Sequence, residues 1–128
     1  MFELLEGVGW SGVFAGFVLS FMLGYLWYGP NMFGEAWAKG VGVPLADGSS
    51  LPVAAMIAQA AGTLVLACLL GIATAMDAPL LIALIIFTLM LFIVSNGKYV
   101  QKSNVAVAIE AAYIFAMGVV MVTCQAIF

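Results

Sequence analysis

The feature that most restricts this chain is a set of long apolar runs with almost no charge in them. From about Pro52 to Met76 no charged side chain occurs. A helix of about 20 apolar residues crosses the hydrocarbon of a bilayer. Four such runs can be read, at about 8–28, 52–76, 80–95 and 105–127. They do not alternate polar and apolar residues, as the strands of a membrane barrel would. The expected fold is therefore all-α: an integral membrane protein with four transmembrane helices and a short interfacial segment after helix 1. Residues 1–128 are read as a single transmembrane four-helix domain. Composition argues against a soluble alternative. The chain is 66% hydrophobic and 7% charged, where soluble domains are about half apolar and about a quarter charged. Three lysines and six carboxylates could not cover so much apolar surface in water.

The same balance excludes several functions. The net charge is −3 and there is no Arg, so no nucleic-acid partner is expected. There is no His, and Cys68 and Cys124 both lie in apolar runs. Neither a zinc set nor a disulfide framework follows, and no metal or other cofactor is expected. No nucleophile–base pair is visible, so an enzyme is not expected. The N-terminus opens with Glu3 and Glu6 rather than a basic stretch, and no small-residue cleavage site follows a short apolar core. Met1 is accordingly read as the mature start.

Trp10 and Tyr28 bracket the first run. At helical rise they stand ~27 Å apart, which suits the aromatic belts at the two interfaces. Pro30 ends the run, because proline disfavours helix at the residue before it. The more polar segment from Pro30 to Ser50 contains Gly34, Gly40, Gly42, Pro44 and Gly48. Its first part fits a short interfacial helix opening at Pro30. Phe33 and Trp37 are spaced as an apolar stripe, Glu35 and Lys39 as a charged one. Asp77, Ala78 and Pro79 read as a tight turn, and Asn96 to Ser103 as the last loop. Lys39, Lys98 and Lys102 then share one side. By the positive-inside rule that side is cytoplasmic, and both termini are non-cytoplasmic.

Lipid offers no hydrophobic force between helices, so close packing must come from small residues. Gly12, Gly16, Ser20 and Gly24 recur at four-residue steps on the first helix. Ala54, Ala58 and Gly62, then Ala67 and Gly71, form a similar ridge on the second. Both ridges are expected to make helix contacts inside the bundle; contact between copies is the alternative.

The stretch Gly24-Tyr25-Leu26-Trp27-Tyr28-Gly29-Pro30, followed by Phe33-Gly34-Glu35-Ala36-Trp37, resembles the bacterial domain-of-unknown-function 1761 family. Its members pair a G-x-L-W-Y-x-P segment with an F-G-x-x-W segment. The later part, from Lys98 through Glu110-Ala111-Ala112-Tyr113 to Met117-Gly118, is similar to that family's last loop and helix. There the family leads one to expect Asn or Asp, and this chain has Glu110. The resemblance covers nearly the whole chain. It implies a four-helix membrane protein, and it supplies no activity. The expected location is the bacterial cytoplasmic (inner) membrane, multi-pass. Read physically, Trp27, Tyr28, Pro30, Phe33 and Trp37 form a membrane-exit device. The aromatics mark the interface, Gly29-Pro30 breaks the helix, and Phe33 and Trp37 re-anchor the chain. Ligand recognition by the same aromatics is the alternative.

Glu110 lies roughly 9 Å inside the fourth helix. A carboxylate at that depth is costly and marks a candidate site. Gln59 enters from the same side at similar depth, Asn96 ends the third helix there, and Tyr113 shares the face of Glu110. The expectation is one buried polar cluster of Glu110, Gln59, Asn96 and Tyr113, since unpaired polar groups are expensive in hydrocarbon. Met117, Met121 and Cys124 share a face that soft sulfur ligands for Cu(I) would need, but core packing is the reading kept. The functional reading is a small membrane protein acting as a non-enzymatic subunit, accessory or scaffold. Its partners would be the lipid bilayer, further copies of itself or other membrane proteins. The alternative is an oligomeric small transporter or channel in which Glu110 handles protons or cations.

Overall fold

The computed structural model describes residues 2–44 and 52–128; Met1 and the end of the polar segment, with Gly48 and Ser50, lie outside the described residues. A short 3-10 turn at Phe2–Leu5 precedes five α-helices: α1 (Trp10–Trp27), α2 (Gly34–Val41), α3 (Val53–Ala75), α4 (Pro79–Tyr99) and α5 (Asn104–Ile127). Of these, α1, α3, α4 and α5 are long and apolar enough to cross a membrane. No strand occurs among the described residues.

The fold is built around α5, which packs against α1, α2, α3 and α4. Half of its most apolar stretch is buried inside the protein, against 11% for α4. Its contact with α1 depends on the glycine ridge. A Cβ at Gly12 would stand 3.1 Å from the Cys124 carbonyl oxygen, and one at Gly16 would stand 3.3 Å from the Met121 Cα. Ser20 is wholly buried, and Gly24 lies against the Tyr113 phenol. The two backbones therefore meet along most of α1, as small-residue interfaces in membranes allow.

The ridge on α3 divides. Ala67 and Gly71 are buried, with Gly71 against Val13 and Val8. Ala54 and Ala58 are exposed, and nothing lies within 4 Å of a Cβ built at Gly62. The expectation that Ala58 and Gly62 pack against another helix inside the bundle is corrected. Burial on α3 starts at Thr63 and runs toward the Asp77 turn. Toward the other end the bulky Tyr28, Trp37 and Tyr113 replace the small residues found near that turn, and α3 stands off from them.

Two left-handed residues other than glycine stop α3 and α4. Asp77 (φ 51°) follows α3, and Gln101 (φ 63°) follows α4. In each case the next amide reaches back to the helix: Ala78 to the Ala73 carbonyl at 3.0 Å, Lys102 to the Gly97 carbonyl at 2.9 Å. These are Schellman closures without glycine. The second one moves a boundary. Asn96 to Tyr99, read from the sequence as loop, are the last turn of α4. Their polar side chains do not prevent helix; only the reversal at Gln101 ends it. Pro79 is the first residue of α4. Ser103 caps α5, its hydroxyl accepting from the Ala106 amide at 3.1 Å.

The bundle thus has one end with the lysines and one with the chain termini. At the terminal end Ser11 Oγ donates to the Phe128 carbonyl at 3.1 Å, and Gln125 Nε2 donates to the Gly9 carbonyl at 3.2 Å.

Candidate functional site

At the lysine-bearing end Glu110 projects from the second turn of α5. Its Oε2 accepts two hydrogen bonds, from Trp37 Nε1 at 2.9 Å and from Lys102 Nζ at 2.8 Å. The Lys102 and Glu110 side chains are 25% and 14% exposed. One carboxylate therefore joins three segments: α2 through Trp37, the α4–α5 turn through Lys102, and α5 itself.

Each partner is delivered by a local device. After α1 the chain doubles back, with the Phe33 amide on the Trp27 carbonyl at 3.0 Å and the Gly34 amide on the Gly29 carbonyl at 3.0 Å. This turn delays α2, which opens at Gly34 rather than at Pro30. Position 34 must be glycine, since a Cβ would collide with the Tyr28 carbonyl and lie 2.7 Å from the Gly29 carbonyl oxygen. At its far end α2 is clamped to α5. The Ser103 amide donates to the Gly40 carbonyl at 2.9 Å, and a Cβ at Gly40 would fall 2.6 Å from the Ala106 Cβ. Glu35 and Lys39, spaced for a charged stripe, are both exposed. Among the described residues the one ion pair is Lys102–Glu110.

The aromatics of the first motif do more than mark an interface. Trp27 Nε1 donates to the Ile109 carbonyl at 3.2 Å, and the Trp27 ring stands 4.8 Å from that of Phe33. Tyr28 meets Trp37 edge-on at 5.3 Å and Tyr113 edge-on at 5.5 Å. Tyr113 is buried and donates its hydroxyl to the Ser20 carbonyl at 2.7 Å. Trp27, Tyr28 and Trp37 thus turn inward onto α5, which corrects the reading of the motif as an exit device alone. Pro30 and Phe33 remain exposed. The Tyr28 phenol, just past the end of α1, is held far above its ordinary pKa, by burial first and then by the Glu110 carboxylate and Tyr113. It stays protonated and neutral.

Tyr28, Trp37 and Tyr113 line a cleft of about 740 Å³ between the parted end of α3 and the surface of α1, α4 and α5. Glu110, Gln59, Asn96 and Tyr113 all border it. The expected cluster therefore shares one cavity, but it is not one hydrogen-bonded group. Glu110 bonds neither Gln59 nor Asn96, because α3 stands off while Trp37 and Lys102 reach the carboxylate directly. The Gln59 side chain reaches the Tyr113 phenol rather than the carboxylate, and Thr63 Oγ1 donates to the Gln59 carbonyl at 2.6 Å. Met117, Met121 and Cys124 are buried in the core. Sequence reasoning missed Lys102 and Trp37 as partners of Glu110. The available signal was that one end of the bundle carries the lysines, the motif and the deep carboxylate together.

Four helices suited to the bilayer, closed at one end by an aromatic turn and a partly buried ion pair, define a small multi-pass membrane protein with a mainly apolar cleft bordered by a few polar side chains. A protein-family model described as "Protein of unknown function (DUF1761)" matches residues 11–126, and the chain belongs to that family. No curated protein and no solved structure matches it.

Proposed function

We propose that the protein works in the bacterial cytoplasmic membrane as a non-enzymatic subunit, accessory or scaffold protein, with the cleft as its binding feature and Glu110 as a structural tie. One observation supports this reading above others: Glu110 Oε2 is held by both Trp37 and Lys102. A carboxylate that relays protons or cations needs a free charge facing a conducting path. Here a lysine offsets that charge. Association with other membrane proteins or with further copies draws on α4, the spanning helix with the least surface buried within the chain.

The competing reading is an oligomeric transporter or channel using Glu110, and its support is that Glu110 borders an open cleft. Flux measurements in proteoliposomes separate the two. As an accessory protein, neither wild type nor Glu110→Gln should pass ions from a broad panel. Flux through the wild type that is lost in a folded Glu110→Gln variant would overturn the reading. The lysine asymmetry further supports both termini lying outside the cytoplasm. A reporter fused to the C-terminus should read as non-cytoplasmic, and a cytoplasmic signal would invert the orientation.

A further inference from the structure

We infer that the cleft is a binding site for a neutral amphiphile with a flat, oxygen-bearing ring as its head and an apolar chain as its tail, the chemistry of a lipid-soluble quinone. The inference rests on reading the cleft as a binding feature rather than a conducting path.

Size comes first. A volume of about 740 Å³ falls within the ~300–1,000 Å³ typical of small-molecule sites. It can house a ring and the start of a chain. Charge comes second. Among the described residues the charged groups bordering the cleft are Lys102 and Glu110, and they are already paired at 2.8 Å. A cationic or anionic head would have to compete with that pair for one of its members. A neutral head need not.

Recognition chemistry comes third. Two primary amides border the cleft from different helices, Gln59 from α3 and Asn96 from α4. The Asn96 side chain makes no hydrogen bond among the described residues, and the Gln59 amide has only the Tyr113 phenol and a long 3.5 Å contact to Thr63 Oγ1. Amides at membrane depth without good partners are costly. A ring with an acceptor oxygen on each of two edges would satisfy both walls at once. Phe21, Tyr28 and Trp37 supply aromatic lining, against which a flat conjugated ring packs better than a saturated head does. The tail has an exit. The α3 wall around Ala55 and Met56 is exposed, so the cleft opens sideways to where lipid would lie.

Trp37 makes the site readable, because quinones quench indole fluorescence on close approach. Decylubiquinone titrated into purified protein in nanodiscs of defined phospholipid should give saturable quenching, and Trp37→Phe should reduce its saturable amplitude, Trp27 beside Tyr113 supplying the remainder. Gln59→Ala and Asn96→Ala replace exposed side chains and should not lower the thermal midpoint. Each should weaken binding by roughly three- to tenfold, the worth of one hydrogen bond. Purely linear quenching, which marks partition into lipid, would overturn the assignment. So would unchanged affinity in both amide variants. Displacement of the quinone by phosphatidylethanolamine or phosphatidylglycerol at equal occupancy would assign the cleft to a phospholipid instead. Absence of quinone binding in a protein that also passes no ions would sink this inference and leave the accessory reading standing. Ion flux would sink the accessory reading whatever the quinone result.

Discussion

Gly16→Leu should separate α1 from α5 and cost about 3 kcal/mol, near the top of the range for overpacking a close contact. The reason lies in what the new side chain meets. A Cβ at Gly16 already stands 3.3 Å from the Met121 Cα and 3.3 Å from its Cγ. The first of these is backbone and cannot rotate away, so three further carbons must push the helices apart. That loss would spread along the ridge, because Gly12, Ser20 and Gly24 hold the same two helices at the same spacing. Gly62→Leu is the matched control, since open space surrounds Gly62. It should change stability by no more than about 0.5 kcal/mol. Thermal unfolding of both variants in mild detergent checks the pair. Equal midpoints for the two would mean that the α1 ridge faces lipid.

That contrast also marks how much of the fold was legible. A run of apolar residues near 20 long is a strong signal because the bilayer sets its length, and the four spans are where such runs occur. Small residues at four-residue steps are equally visible, and on α1 they mark a real interface. On α3 the same pattern is an interface only from Ala67 onward. A small-residue stripe states that a helix can approach closely, and what stands opposite decides whether it does. Ala54, Ala58 and Gly62 are exposed, and α3 turns Ala55, Met56 and Gln59 toward the aromatic cleft instead. The end of α4 was hidden for a different reason. Asn96, Gly97 and Lys98 look like loop by composition, yet the break depends on the left-handed Gln101, and glutamine carries no turn signature.

The candidate site was half legible for a similar reason. Depth can be counted along a helix, which is enough to group Glu110, Gln59, Asn96 and Tyr113 at one end of the bundle, and all four border one cleft. Direction around the axis and reach across the turn cannot be counted. Trp37 arrives because Gly34 and Gly40 let α2 fold flat against α5. Lys102 arrives because the α4–α5 turn closes over the start of α5, aiming a long side chain down toward the carboxylate. A lysine at a helix end usually extends to the headgroups. Here a carboxylate within reach redirects it.

The strength of that tie is the second large expectation. Glu110→Ala should cost about 2–3 kcal/mol. Removing one partner of a well-buried ion pair costs more, about 3–5 kcal/mol. Lys102, a quarter exposed, can recover part of the loss by turning to the interface. Trp37 would lose its acceptor as well, at about 1 kcal/mol. Glu110→Gln keeps an amide oxygen for Trp37 and should cost about half as much as the alanine. The informative measurement is a double-mutant cycle. Lys102→Met keeps the stem and removes the charge, leaving Glu110 to Trp37 alone. If the two charged groups stabilise the fold through each other, Glu110→Gln combined with Lys102→Met should be less destabilised than the sum of the single changes, by about 1–2 kcal/mol. Strict additivity would mean that the pair contributes nothing and that Glu110 is held in place by Trp37. Combining Trp37→Phe with Glu110→Gln completes the test. Coupling in both cycles would establish Glu110 as the junction that fixes α2 and the α4–α5 turn to α5, and so shapes the wall of the cleft that faces α3.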